Sequence, residues 1–201
     1  MMYLFIDTSL KYPTVAIVED NKILYLFHEE IDSDMSSKIM PIIDEGFKKI
    51  NKKIDDIDKI IVVNGPGSFT GIRIGVTMGK TMAWALKKDI ITISSLEYMA
   101  TTNVDTDYIV PIIDARRGNV FAGIYDRNLN VIKEDSLISL EELKKSIDSN
   151  YTIVSYDLNN VDVDVLKVIN KHKGDKSLNP HSVNPNYLKL TEAEESRLKN
   201  D

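Results

Sequence analysis

The sequence contains no cysteine. Disulfide frameworks, thiolate zinc sites and cysteine nucleophiles are therefore excluded. Histidine occurs three times, as His28, His172 and His181, with no metal-ligand spacing among them. Each reads as a surface or satisfied residue. A basic surplus is also lacking. Lys and Arg number 25 against 31 Asp and Glu, for a net charge of −6. That is the reverse of the footprint nucleic-acid binding needs, so contact with RNA is expected only through a local patch or a partner. No apolar run approaches the ~20 residues that cross a bilayer. The start, Met1 to Asp7, has no basic region ahead of its apolar stretch and does not read as a signal peptide. A cytoplasmic protein without membrane contact is expected. What is present is ordinary for a folded chain: 43% apolar and 28% charged residues in 201. This suits one domain or two small lobes and excludes wholesale disorder.

Periodicity predicts a β-meander first, over Tyr3 to Ile6, Thr14 to Val18 and Ile23 to Phe27. Asp32, Ser33 and Asp34 offer capping groups for a helix whose apolar arc holds Met35, Ile39, Ile43 and Phe47. Lys59 to Val63 reads as a buried strand, followed by a helix from about Gly71 to Leu86. Ile90 to Ile93 reads as a strand, and Ser94 caps a short helix to Ala100. Thr101 to Asp107 is polar and marks the expected boundary, with one lobe over 1–103 and a reduced second lobe with its tail over 104–201. The pattern then restarts with strands at Tyr108 to Ile113, Val120 to Tyr125 and Val131-Ile132. A short helix at Glu141 to Ile147 and a strand at Tyr151 to Val154 follow. Val161 to His172 is ambiguous, and Thr191 to Asp201 reads as a charged helix or a frayed end. Both halves run strands first and helix later, each with an Asp just after its first strand, Asp7 and Asp114, which hints at duplicated lobes.

Five of the nine glycines fall between Gly65 and Gly79. Gly65-Pro66-Gly67 after a buried strand predicts a tight turn, with Ser68 or Thr70 capping the next helix. Strand, glycine turn and helix start together form either an anion site or simply a turn. The spacing fits neither a dinucleotide fingerprint nor a P-loop, and Ser68 is not in a nucleophile elbow. Gly71, Gly75, Gly79 and Ala83 recur every four residues and form a smooth ridge. Each interior glycine costs about 1 kcal/mol relative to alanine, so close packing must offset it. A helix this apolar is either internal or part of a protein interface, and both readings stay open.

Asp7-Thr8-Ser9 could hold Mg²⁺ near phosphates or simply form a strand-end turn. With Gly65, Gly67 and Ser68 it makes up a candidate vestigial nucleotide site. Asp114 with Arg116 and Arg117 reads as a β-turn ion pair or a second carboxylate with a basic clamp.

Asn64 to Gly75 (Asn-Gly-Pro-Gly-Ser-Phe-Thr-Gly-Ile-Arg-Ile-Gly) resembles the signature of the bacterial TsaB family of tRNA threonylcarbamoyladenosine biosynthesis proteins, which are glycoprotease homologues. Ile6 to Ser9, Ile113 to Gly118 and Pro185 to Lys189 are similar too, in the family's order. The resemblance implies an α/β, actin-like and sugar-kinase-like fold of two lobes, with mixed sheets and flanking helices. It implies a non-catalytic scaffold that pairs with the catalytic paralogue TsaD. With the ATPase TsaE they transfer threonylcarbamoyl to the adenosine beside the anticodon, so tRNA is met only through the complex. A homodimer is expected in isolation. No cofactor is required, with weak ATP or ADP binding with Mg as the most the cleft would do. The partner surface implied is Met35, Ile39, Ile43 and Phe47 with Ile72, Gly75, Val76 and Gly79. Relatives often carry His-Ser where this chain has Asp34-Met35-Ser36-Ser37, and the His-x-x-x-His metal pattern of TsaD has no match here. The alternatives are a stand-alone ATPase or kinase of the same fold and, following the older family name, a peptidase.

Overall fold

The computed structural model describes residues 1–31, 34–147 and 150–188. The expected caps Asp32 and Ser33, and the charged segment from Thr191 onward, lie outside the described residues.

β-Branched runs punctuated by polar turns build the first sheet. Strands β1 (Met2–Asp7), β2 (Thr14–Glu19) and β3 (Lys22–His28) form an antiparallel meander. Helix α1 (Met35–Lys49) leads to β4 (Lys59–Val63), which pairs parallel with β1, with Phe5 opposite Ile61. Helix α2 (Phe69–Leu86) then leads to β5 (Asp89–Ile93), parallel to β4. The strand order is β3-β2-β1-β4-β5. β1 and β4 are buried on both faces, as continuous Ile and Val runs in a covered sheet must be.

After the short α3 (Ser95–Met99) the plan repeats. Strands β6 (Tyr108–Asp114), β7 (Asn119–Asp126) and β8 (Val131–Ser139) form a second antiparallel meander. Helix α4 (Leu140–Lys145) leads to β9 (Tyr151–Val154), parallel to β6, and the order is β8-β7-β6-β9. Strand for strand this is the first sheet without its fifth member. The chain is therefore an actin-like α/β fold with a reduced second half, and Asp7 and Asp114 close the equivalent strands β1 and β6. The ambiguous stretch resolves into α5 (Val165–His172), capped by the Asp164 carboxylate, which accepts from the Lys167 amide.

Three cores fill the layers. Leu4, Ile6, Ile17, Ile60 and Val62 from one face of the first sheet pack under α1 and α2 with Ile39, Ile43 and Phe47. The opposite face, with Phe5, Ile61 and Ile91, shares a core with α3, α5 and the second-sheet residues Ile109, Phe121 and Val154. A smaller cluster around Val110 and Leu143 lies under α4. Residues 173–188 do not stay with the second sheet. They return as a strap along the first, where the Leu178 amide donates to the Ile90 carbonyl and the Asn186 amide to the Asn64 carbonyl.

Asp34 departs from its expected role. It opens α1 in a left-handed conformation, and its carboxylate accepts from the Ser36 hydroxyl rather than from a helix amide.

Candidate functional site

The structure brings Asp7-Thr8-Ser9 and the glycine turn together. Asp7 ends β1 and is fully buried, at 0% exposure. Its Oδ1 accepts from the Ser9 amide (2.8 Å) and the Ser9 hydroxyl (2.6 Å), an Asx turn. Its Oδ2 is buried with no hydrogen-bond partner among the described residues. Burial pushes the Asp7 carboxyl up to about 6, against the bonds from Ser9. The Asp7 charge in turn helps burial raise the phenols of Tyr98 and Tyr156. Tyr156 Oη is the other buried atom without a partner among the described residues.

The glycines are there to let α2 press against this strand end. Gly67, at φ 153°, takes a backbone conformation that L side chains rarely adopt, and a Cβ on it would stand 2.5 Å from the Ser9 carbonyl. A Cβ at Gly71 would collide with the Thr8 carbonyl, one at Gly75 with the Thr8 hydroxyl and one at Gly79 with Val62. Thr8 Oγ1 donates to the Gly71 carbonyl (2.6 Å), and the Ser68 amide donates to the Ser9 carbonyl (2.9 Å). Ser68 caps α2 by accepting from the Gly71 amide. Gly65 is buried under the strap, where a Cβ would meet the Asn186 carbonyl at 2.5 Å. A cavity of about 190 Å³ lies beside this strand end, lined by Ser9, Lys11, Asp114, Ser155 and Tyr156 among others. Small-molecule pockets run to roughly 300–1,000 Å³. Asp114 Oδ1 accepts from the Arg116 amide (2.9 Å), an Asx turn.

The residues expected at a partner surface stand differently. Ile39, Ile43, Phe47, Ile72 and Val76 are buried in the chain's own core, as are Gly75 and Gly79, and Met35 is half-buried against it. This corrects the assignment of those side chains to an outer surface. The small-residue ridge lets α2 settle on β1 and β4, so one sheet does cover it. The sides turned away from the sheet carry another set. Helical spacing puts Met40 on the flank of α1 toward α2, and Ile74 and Met78 on the facing flank of α2. Met40 is exposed, and Ile74 and Met78 are half-buried. The pairs Asp44–Lys48 and Glu45–Lys49 are exposed on α1, with Lys49 over the Tyr25 ring of β3.

On the other flank of α2 the strap is held by the Lys80 ammonium on the Val183 carbonyl (2.7 Å). Arg73 donates to Tyr187 Oη (2.8 Å) and lies over the Phe69 ring, which stacks on Tyr187. Trp84, 62% exposed, meets His181 edge-on. His28 accepts from or donates to Thr14 Oγ1 at 2.8 Å.

A group that sequence reasoning missed centres on His172. Its Nε2 lies 2.8 Å from Glu97 Oε1 and its Nδ1 2.7 Å from Asp175 Oδ2. The signal was present in the spacing of Val165, Ile169 and His172, which shares one inward helical face, but it could be read only once that stretch was known to be a helix.

Residues 29–161 match the family model described as "TsaD: tRNA N6-adenosine threonylcarbamoyltransferase". The chain belongs to that family. Within it the chain is similar to proteins named tRNA threonylcarbamoyladenosine biosynthesis protein TsaB. It is 35% identical to the one from Bacillus subtilis over 67% of this chain and 59% of that protein. It is 30% identical to the one from Escherichia coli over 66% of this chain and 58% of that protein. The chain thus spans about three fifths of the length of these TsaB relatives. Among solved structures, an uncharacterized Pseudomonas aeruginosa protein with similarity to peptidase YeaZ superimposes at TM-score 0.78 with 17% identity. The match covers 94% of this chain and 99% of that one, and it bears on the fold alone. Among the described residues no helix is long and apolar enough to cross a membrane.

Proposed function

We propose that this TsaB-like chain acts in tRNA threonylcarbamoyladenosine biosynthesis as a non-catalytic scaffold that docks on a TsaD-like catalytic paralogue. The observation that carries this reading is the packed strand end. Nucleotide chemistry needs Asp7-Thr8-Ser9 open, and here Gly67 and Gly71 press on it while Met40, Ile74 and Met78 face outward. The full burial of Asp7 and the cavity of about 190 Å³ beside it support the reading in which this chain needs no nucleotide. Catalysis then belongs to the partner, with a TsaE-like ATPase joining and tRNA met through the complex. In isolation the same apolar seam would pair two copies.

The test is co-purification with the TsaD-like paralogue, followed by modification activity. Met40→Glu with Met78→Glu places two like charges at an exposed and a half-buried position, and circular dichroism checks that the fold is kept. The pair is expected to weaken association at least tenfold, because charges on a desolvated apolar seam go unpaired. Full binding by this folded variant would sink the reading. A stand-alone nucleotide binder is favoured by one atom, the unpaired Asp7 Oδ2. Heat on titration with Mg-ATP, lost in Asp7→Asn, would support that alternative instead.

A further inference from the structure

His172 closes α5 and its ring touches two separate parts of the molecule. Nε2 meets Glu97 of α3 at 2.8 Å, and Nδ1 meets Asp175 at the root of the strap at 2.7 Å. A neutral imidazole has only one N–H, so it can satisfy one of these carboxylates and must leave the other facing a lone pair. Only the imidazolium donates to both. The arrangement is closed on the Glu97 side and open to solvent at Asp175, whose side chain is 52% exposed. Glu97 and His172 side chains are 11% and 16% exposed. The buried Lys59 of β4 lies close by, but its ammonium is taken by the carbonyls of Asp175 (2.9 Å) and Lys173 (3.4 Å). Behind Glu97 sits Asp135 of β8, which accepts from Tyr125 Oη (2.5 Å) and from the Ser94 hydroxyl. Two carboxylates therefore stand on the Glu97 side of the His172 ring and one on the strap side.

The strap that starts here has a second role. Ser177 and Leu178 bond to Ile90 on the outer edge of β5. Ser177, Leu178 and Pro180 then line a cavity of about 740 Å³ with Trp84. The position of residues 173–188 thus sets the outer flank of α2.

We propose that His172 is a proton-operated clasp: doubly protonated, it bridges Glu97 of the first lobe and Asp175 of the strap, and on losing a proton it gives up one of the two, leaving the root of the strap to Lys59 and the backbone. Burial opposes the charge on His172, but the bonds from Glu97 and Asp175 outweigh it and raise the group above its ordinary 6.5. The folded form thus holds its proton more tightly than the unfolded one. The stabilisation is complete below 6.5 and is lost as pH rises through the raised value.

The molecule supplies its own reporter, since Trp84 is the single tryptophan. In a His181→Gln background, which removes the imidazole beside Trp84, emission is recorded from pH 5.5 to 9 alongside ¹⁵N imidazole spectra of His172. The expected result is a red shift of Trp84 emission as His172 loses its proton, with the same midpoint above 6.5. Glu97→Gln is expected to move both midpoints to lower pH together. His172→Gln is expected to give the red-shifted emission at every pH, with native far-ultraviolet circular dichroism. A ring that is neutral throughout, or that titrates while Trp84 emission stays flat, overturns the proposal. So does a midpoint unmoved in Glu97→Gln, a measurement that remains decisive if His172→Gln does not fold.

Discussion

At Asp7 two readings of one carboxylate give opposite outcomes. A metal-binding aspartate is kept ionised by its ligand and loses function when neutralised. Here the group is fully buried and raised from 3.8 to about 6, so the native state binds its proton more tightly than the unfolded chain. By linkage this contribution to stability is full below pH 3.8 and falls as pH rises towards 6. The shift corresponds to about 3 kcal/mol lost by neutral pH, at ~1.4 kcal/mol per pH unit. Asp7→Asn keeps the Oδ1 acceptor for Ser9 and removes the charge. It is expected to match the parent at pH 4 and to exceed it by up to about 3 kcal/mol at pH 7.5 in urea denaturation. A variant less stable than the parent at pH 7.5 would show that the ionised group has a partner. The Asp at the strand end was plain in the sequence, but its burial was not. That burial depends on Tyr98, Tyr156 and α2, which converge on it only in three dimensions.

At the scale of elements, α2 turns the usual glycine rule around. Alanine is the better helix former by about 1 kcal/mol, yet no Cβ fits at Gly71 or Gly79. The obstacles differ in kind. At Gly71 it is the Thr8 backbone carbonyl, which cannot move without β1, and at Gly79 it is a Val62 methyl on a side chain. Gly71→Ala is therefore expected to cost more than Gly79→Ala, with overpacking of this sort running to about 1–3 kcal/mol. Paired thermal melts measure the order, and equal melting temperatures would count against the distinction. The boundaries of β4, β9 and α1 were readable to within a residue or two, because uninterrupted Ile-Val runs and a 3.6-residue apolar arc leave little choice of element. Which way the glycine ridge points was not readable. Small residues permit close approach by any backbone, and a repeat of four does not say whether the approaching chain is β1 or a stranger. The family resemblance, and not this ridge, implied an outer surface for Ile43 and Phe47. Their apolar arc is real, but it is the arc that faces Ile17 and the rest of the sheet.

Across the whole molecule, the duplicated strand order invites a picture of two independent lobes. The packing opposes it. Phe5 and Ile61 of the first sheet share one core with Ile109, Phe121 and Val168 of the second half. The two halves are expected to unfold together, with circular dichroism and Trp84 fluorescence giving coincident urea transitions. Two separated transitions would show that the shared core contributes little. The repeat of the strand plan was faintly visible in the matched positions of Asp7 and Asp114. The strap was not, because Pro180 and Pro185 break its periodicity and its bonds run mainly through backbone carbonyls and amides, which carry no residue identity.

The strap's grip on Ile90 also sets an order on the birth of the molecule. β5 is finished long before Ser177 and Leu178 are made, so a nascent chain presents that side of the sheet bare, an inviting template for a neighbouring polypeptide on the same messenger. Safety from such mispairing arrives only when the residues beyond Lys176 have left the ribosome and folded back.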